Sequence, residues 1–94
     1  MLSKIPANWE SIEKGMLDKE ILRAALIAEL DAVNLYEQMA ALTGNEDLRV
    51  VLMDVAKEEK THIGEFQALL LKLDKEQGAE MEHGREEVEE LTGR

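Results

Sequence analysis

Three ionisable side chains, Glu29, Glu59 and His62, occupy positions at which the hydrophobic pattern of the chain predicts apolar residues. Apolar residues recur every three or four positions in two long segments, and the three polar residues fill the gaps. The two apolar series are Leu22, Leu26, Val33, Tyr36 and Ala40, and then Leu48, Leu52, Val55, Phe66, Leu69 and Leu73. Such spacing places residues on one helix face. We expect the carboxylates there to be buried, and a buried charge needs a partner or a metal ion.

The two gaps of the second segment form a Glu-x-x-His pair, in which residues 59 and 62 project from the same side of a helix. Glu29 precedes the turn at 43–45 by about as many residues as Glu59 follows it, so an antiparallel hairpin brings them to one height. Carboxylate oxygens and an imidazole nitrogen suit Fe, Mn or Zn. The residues therefore predict a metal site, and a buried ionic network that fixes helix register stays open as the alternative.

Helical patterning predicts an all-α chain that forms a single domain over 1–94. The expected parts are an N-terminal arm with a short helix at 1–17, helix 1 at 18–43, helix 2 at 45–73, and an acidic C-terminal helix at 74–92.

Local signals set the expected ends of these helices. Gly15 is expected to end the short helix, and Asp18 to cap helix 1. Gly44 suits a left-handed exit from helix 1, and Asn45 then caps helix 2. Asp74 is expected to cap the C-terminal helix. The connection at 43–45 is short, so helices 1 and 2 must form an antiparallel hairpin.

The composition narrows the functional classes. The formal net charge is −10, from 11 basic and 21 acidic residues, which disfavours nucleic acid and anionic membranes and attracts cations. The chain has no cysteine, which excludes disulfides and thiolate ligands. The first residues lack a signal-peptide core, and no apolar run is long enough for a membrane span. We expect a cytoplasmic or particle-enclosed protein.

A two-helix hairpin cannot cover all the apolar surface of this chain. Helix 1 carries a second stripe at Ala25, Ala28, Ala32, Leu35, Met39 and Leu42. The simplest completion is a second copy, which gives a four-helix bundle with the polar residues facing their own copies. Two chains supply four carboxylates and two histidines, the ligand set of di-iron carboxylate bundles. The remaining apolar surface indicates association beyond the dimer.

The stretch from Ile27 to Tyr36, followed by the run from Glu58 to His62, resembles the encapsulated ferritin family, half-length ferritin-like proteins associated with encapsulin nanocompartments. The resemblance covers roughly residues 18–75. It implies a hairpin with a short C-terminal helix, a di-iron centre built between two subunits, and a ring, typically a decamer. It also implies oxidation of Fe(II) to Fe(III) with oxygen, and storage of the mineral inside an encapsulin shell in the cytoplasm.

The resemblance assigns roles to individual residues. Glu29, Glu59 and His62 map onto the metal ligands and catalytic residues, and Tyr36 maps onto a tyrosine near the centre. From the residues alone, Tyr36 is either a hydrogen-bond donor to a ligand or a core aromatic residue. Asp31 is expected to lie on a route by which cations reach the site.

The chain also departs from the family. Some members have acidic residues both just before and two after the first ligand, where this chain has Ala28 and Asp31. Some have a tryptophan before the tyrosine, where this chain has Leu35. The last residues, 91–94, carry no Gly/Leu/Ile-rich docking signal. We therefore expect a segment of a shell fusion, or another docking route.

Three functions remain to be separated. The leading one is a ferroxidase. The second is a peroxide scavenger of the rubrerythrin kind at the same site. The third is a structural or cargo oligomer that holds a passive metal ion.

Overall fold

The computed structural model describes residues 14–94, which form three α-helices and no strand. The helices are α1, Lys14–Leu42, α2, Glu46–Leu73, and α3, Lys75–Thr92. Helices α1 and α2, of 29 and 28 residues, pack side by side as an antiparallel hairpin of arms roughly 42 Å long. The all-α prediction is confirmed, and none of the helices in 14–94 is long and apolar enough to span a membrane.

The predicted start of helix 1 is wrong. Helix α1 is continuous from Lys14 and passes through both Gly15 and Asp18, which were expected to separate two helices. One glycine costs a helix only about 1 kcal/mol, and the packing of a long helix against a partner outweighs that local cost. A Cβ added at Gly15 would meet nothing within 4 Å, so no close approach requires glycine there. Most of the expected short helix lies outside the described residues.

The connection between α1 and α2 is closed by side chains. Asn45 caps α2, with its Oδ1 accepting the N–H of Leu48 at 3.0 Å. Thr43 Oγ1 accepts the N–H of Asn45 at 3.1 Å. The expected left-handed exit at Gly44 is wrong, because Gly93 is the one residue of 14–94 with a positive φ. The Thr43 hydroxyl supplies the turn contact that makes a left-handed residue unnecessary.

The hairpin has a small core of its own. Within residues 15–94, the buried apolar side chains are Leu22, Ala40, Ala56 and Leu70. Leu48, Leu69 and Leu73 were expected inside and are about half exposed, at 47%, 52% and 45%, whereas Leu70, which is outside the predicted series, is buried. Successive residues of a helix are rotated by about 100° around its axis. The side of α2 that carries Ala56 and Leu70 therefore faces α1, whereas the adjacent side, which carries Leu69, does not.

Leu69 and Leu73 belong to a surface that we call the open face. The open face is formed by Ile21 and Leu35 of α1 and by Leu48, Val51, His62, Leu69 and Leu73 of α2. Ile21, Leu69 and Leu73 line one groove of 340 Å³, so both helices contribute to the same side of the hairpin. The apolar members are each 41% exposed or more. A surface this apolar marks an interaction site.

Candidate metal centre

The hairpin brings Glu29, Glu59 and His62 together. One ligand atom from each lies within 4.8 Å of the other two. His62 Nδ1 is 3.5 Å from Glu29 Oε2 and 3.4 Å from Glu59 Oε2. Glu59 and His62 are one helical turn apart on α2, and the short connection at 43–45 sets α1 so that Glu29 stands at their height.

The burial of these side chains differs from the expectation. Glu29 and Glu59 are 19% and 18% exposed and His62 is 44% exposed, so none is fully buried. The reason is that one hairpin covers only the α1–α2 side of the cluster. His62, which belongs to the open face, is the most exposed of the three.

One buried oxygen of the cluster has no hydrogen bond. Glu29 Oε2 is buried from solvent and makes no hydrogen bond within the described residues, although His62 Nδ1 is near. An unpaired buried carboxylate oxygen costs free energy, so native proteins pair such atoms or use them to bind a ligand. This orphaned oxygen indicates that the cluster is incomplete as a set of protein groups alone.

The donor set fits a first-row transition-metal ion. Two carboxylates and one imidazole are the donors that Fe, Mn and Zn accept, and no sulfur is present to select softer metals. Metal–ligand bonds of about 2.0–2.2 Å require donors within roughly 3–4.4 Å of one another. The separations of 3.5 and 3.4 Å from His62 Nδ1 to the two carboxylates lie within this range, and the three donor atoms all lie within 4.8 Å of one another. A bound cation would also pair the orphaned Glu29 oxygen.

A second Glu-x-x-His sequence shows that the i, i+3 spacing alone does not bring three donor atoms together. Glu80 and His83 of α3 have the same i, i+3 relation, with Glu87 one turn further on. Here Nδ1 faces Glu80 at 3.4 Å, whereas Nε2 faces Glu87 at 3.2 Å. The two carboxylates lie on opposite edges of an exposed ring, so the three donors do not converge. Convergence at 59–62 depends on Glu29 from the other arm.

The other predicted residues lie around the cluster. Tyr36 is half-buried on α1, seven residues or about 10 Å along the helix axis from Glu29. Asp31 is exposed on the same helix. Their roles as hydrogen-bond donor and on the cation route stay predictions. The sequence did not predict the ion pair between Lys60 Nζ and Glu37 Oε2, 3.2 Å apart, which joins the arms beside Glu59.

Comparison with known proteins places the chain in a family. The sequence model of the rubrerythrin family matches residues 20–92. The crystal structure of the encapsulated ferritin domain from Pyrococcus furiosus is 54% identical and superposes with a TM-score of 0.87, over 100% of this chain and 98% of that one. The chain therefore belongs to the encapsulated ferritins, and its hairpin is a ferritin-like fold.

Two further relatives are longer proteins. A ferritin-like-encapsulin shell fusion protein of Pyrococcus furiosus is 65% identical over 74 residues, which are 79% of this chain and 21% of that protein. Encapsulin nanocompartment cargo protein EncC of Myxococcus xanthus is 40% identical over 81 residues, 83% of this chain and 60% of that protein. The chain spans about a fifth of one relative and three fifths of the other. Both of these relatives are named for encapsulins.

Proposed function

We propose that this protein is a ferroxidase, which oxidises Fe(II) to Fe(III) with dioxygen as the electron acceptor, at a di-iron centre shared between two copies of the chain. The observation that carries the proposal is the convergence of Glu29, Glu59 and His62 around an unpaired buried carboxylate oxygen. Membership of the encapsulated ferritins supports iron as the metal.

The two carboxylates and the imidazole have different tasks. Glu29 and Glu59 would hold the cations, and their negative charge would offset the charge of the ions. His62 would contribute an imidazole nitrogen as a further ligand. Bound iron supplies the one-electron chemistry toward dioxygen, whereas the protein fixes geometry, electrostatics and access. All three side chains stand on helices, Glu29 on α1 and the other two on α2.

A second copy is needed because one chain offers three donor residues and leaves His62 44% exposed. The open face around His62 is apolar, and burying it against its own copy satisfies both the apolar surface and the incomplete donor set. Two chains then provide four carboxylates and two imidazoles. We propose that such dimers associate further into a ring, as a decamer.

We also propose that the protein works inside an encapsulin nanocompartment in the cytoplasm, where the shell receives the oxidised iron. This rests on the names of two relatives, one a shell fusion and one a cargo protein. The high identity to the fusion favours a ferritin-like segment linked to shell protein. The net charge of −10 supports attraction of cations to the particle.

The rubrerythrin match favours a second candidate, a peroxide-scavenging di-iron protein built on the same three residues. The two activities differ in the oxidant. A ferroxidase oxidises Fe(II) faster with dioxygen than with an equal concentration of hydrogen peroxide, and a scavenger shows the reverse order.

The proposal is tested by adding Fe(II) to the apo-protein without oxygen and then admitting air. We expect Fe(III) absorbance in the near ultraviolet to develop faster than in buffer alone, and to slow strongly when Zn(II), which has no redox chemistry, is added first. An oxidation rate equal to that of buffer would leave only the passive-metal scaffold.

A further inference from the structure

Helix α3 meets the hairpin only near its beginning. A groove of about 450 Å³ lies between α3 and the hairpin, and its lining residues are Arg23, Leu26 and Ile27 of α1, Gln67 and Leu70 of α2, and Gln77 and Met81 of α3. All residues of α3 from Ala79 onward are exposed. The helix therefore crosses the mouth of an apolar groove with its first two turns and extends beyond it.

Asp74 is the junction from which α3 starts. Its N–H donates to Leu70 O at 2.8 Å, which closes α2, and its Oδ1 accepts the N–H of Gln77 at 3.0 Å, which caps α3. Its remaining oxygen, Oδ2, accepts a hydrogen bond from Arg23 Nη2 of α1 at 3.0 Å. The Asp74 side chain is 14% exposed. One residue thus links all three helices, through its backbone N–H to α2 and its carboxylate to α1 and α3.

The other contacts of α3 with the hairpin come from its first two turns. A Cβ placed at Gly78 would be 3.8 Å from Leu71, an ordinary contact, and Met81 is 40% exposed. The ion pairs of Arg85 run to Glu82 and Glu89 within α3 itself, so they stiffen the helix but do not attach it. Within residues 15–94, Arg23–Asp74 is the one side-chain ion pair between α1 and the α2–α3 junction.

We propose that α3 is a strap over the groove, and that the Arg23–Asp74 ion pair is the latch that fixes its angle to the hairpin. Breaking the latch frees α3 to swing about residue 74 and uncovers Leu26, Ile27 and Leu70. The strap uses no residue of the metal cluster, so it is independent of the proposed oxidation of iron. The N–H of Gln77 first, and then Arg23 and Lys19, hold the pKa of Asp74 below its ordinary value.

Asp74→Asn distinguishes the two roles of Asp74, because it removes the ion pair with Arg23 and keeps the cap of α3. Asparagine still caps a helix but carries no charge, so α3 should stay helical while the ion pair is lost. The chain has no cysteine, so Asn34→Cys on α1 and Glu86→Cys on α3 provide unique sites for two spin labels. Labelled chains are diluted with unlabelled chains, so that only distances within one chain are measured.

We expect a narrow label–label distance distribution in the parent, and a distribution at least twice as wide in Asp74→Asn and in Arg23→Gln. The matched control is Arg85→Gln, which removes ion pairs within α3 and should leave the distribution unchanged. A parent-like distribution in Asp74→Asn would overturn the proposal. So would equal broadening in Arg85→Gln, or broadening that comes with a loss of helical circular dichroism.

Discussion

Glu29→Ala is expected to lower the rate of Fe(II) oxidation by at least about 100-fold, because even residues that only orient metal ligands change metal affinity or activity by 10- to 100-fold. The substitution removes a convergent donor of the cluster and the α1 contribution to it. It leaves Glu59 and His62 as a single-helix pair, which resembles the non-converging arrangement at Glu80 and His83.

The same substitution is expected to stabilise the metal-free protein. Glu29 Oε2 is buried without a hydrogen bond, and removal of such a group relieves a cost of roughly 1–3 kcal/mol. Urea unfolding of the apo-protein should therefore show a higher midpoint in Glu29→Ala. Loss of activity with gained stability is the signature of a binding residue, since a structural residue would lose both together.

The matched control is Glu37→Ala, on the same helix two turns further along. Glu37 pairs with Lys60 on an exposed part of the hairpin, and exposed pairs contribute little to stability. Glu37→Ala removes the same charge as Glu29→Ala but leaves the metal cluster intact. The oxidation rate of this variant should therefore stay within twofold of the parent. Parent-like activity in Glu29→Ala, or equal losses in both variants, would remove Glu29 from the proposed ligands.

The second large effect is expected from Leu69→Glu on the open face. Leu69 is 52% exposed and lies two turns after His62 on α2. A charge there opposes burial of the face against its own copy, since a buried unpaired charge is very costly. We expect sedimentation to show monomers, and Fe(II) oxidation to be lost although Glu29, Glu59 and His62 are intact.

Val88→Glu is the control for this prediction. Val88 is 55% exposed, so the change in side chain and exposure is matched, but it lies on the distal part of α3 away from the open face. This variant should keep the dimer and its activity. An active monomer of Leu69→Glu would show that one chain builds the centre alone, which contradicts a site shared between copies.

Much of the fold follows from local physical chemistry. The apolar spacing and the caps Asn45 and Asp74 define two of the helices, because side-chain caps and helical periodicity are properties of adjacent residues. The start of α1 could not be predicted in this way. Gly15 and Asp18 carry helix-stop and helix-start signals, but both are overridden by a continuous helix packed against α2.

The candidate site was predictable in position and less so in environment. The gaps at Glu29, Glu59 and His62 and their equal distance from the turn bring them together, as the structure has them. Their depth was not predictable, because the sequence shows that a face is apolar but not which chain covers it. Leu69 and Leu73 look like core residues for the same reason, and they are exposed in the single chain.

The most direct test of the shared centre is anomalous X-ray diffraction at the iron absorption edge from crystals of the iron-loaded protein. The account predicts two neighbouring iron peaks between a pair of chains, both bounded by Glu29, Glu59 and His62 drawn from the two copies. Iron bound by one chain alone, or peaks remote from these three residues, would contradict it.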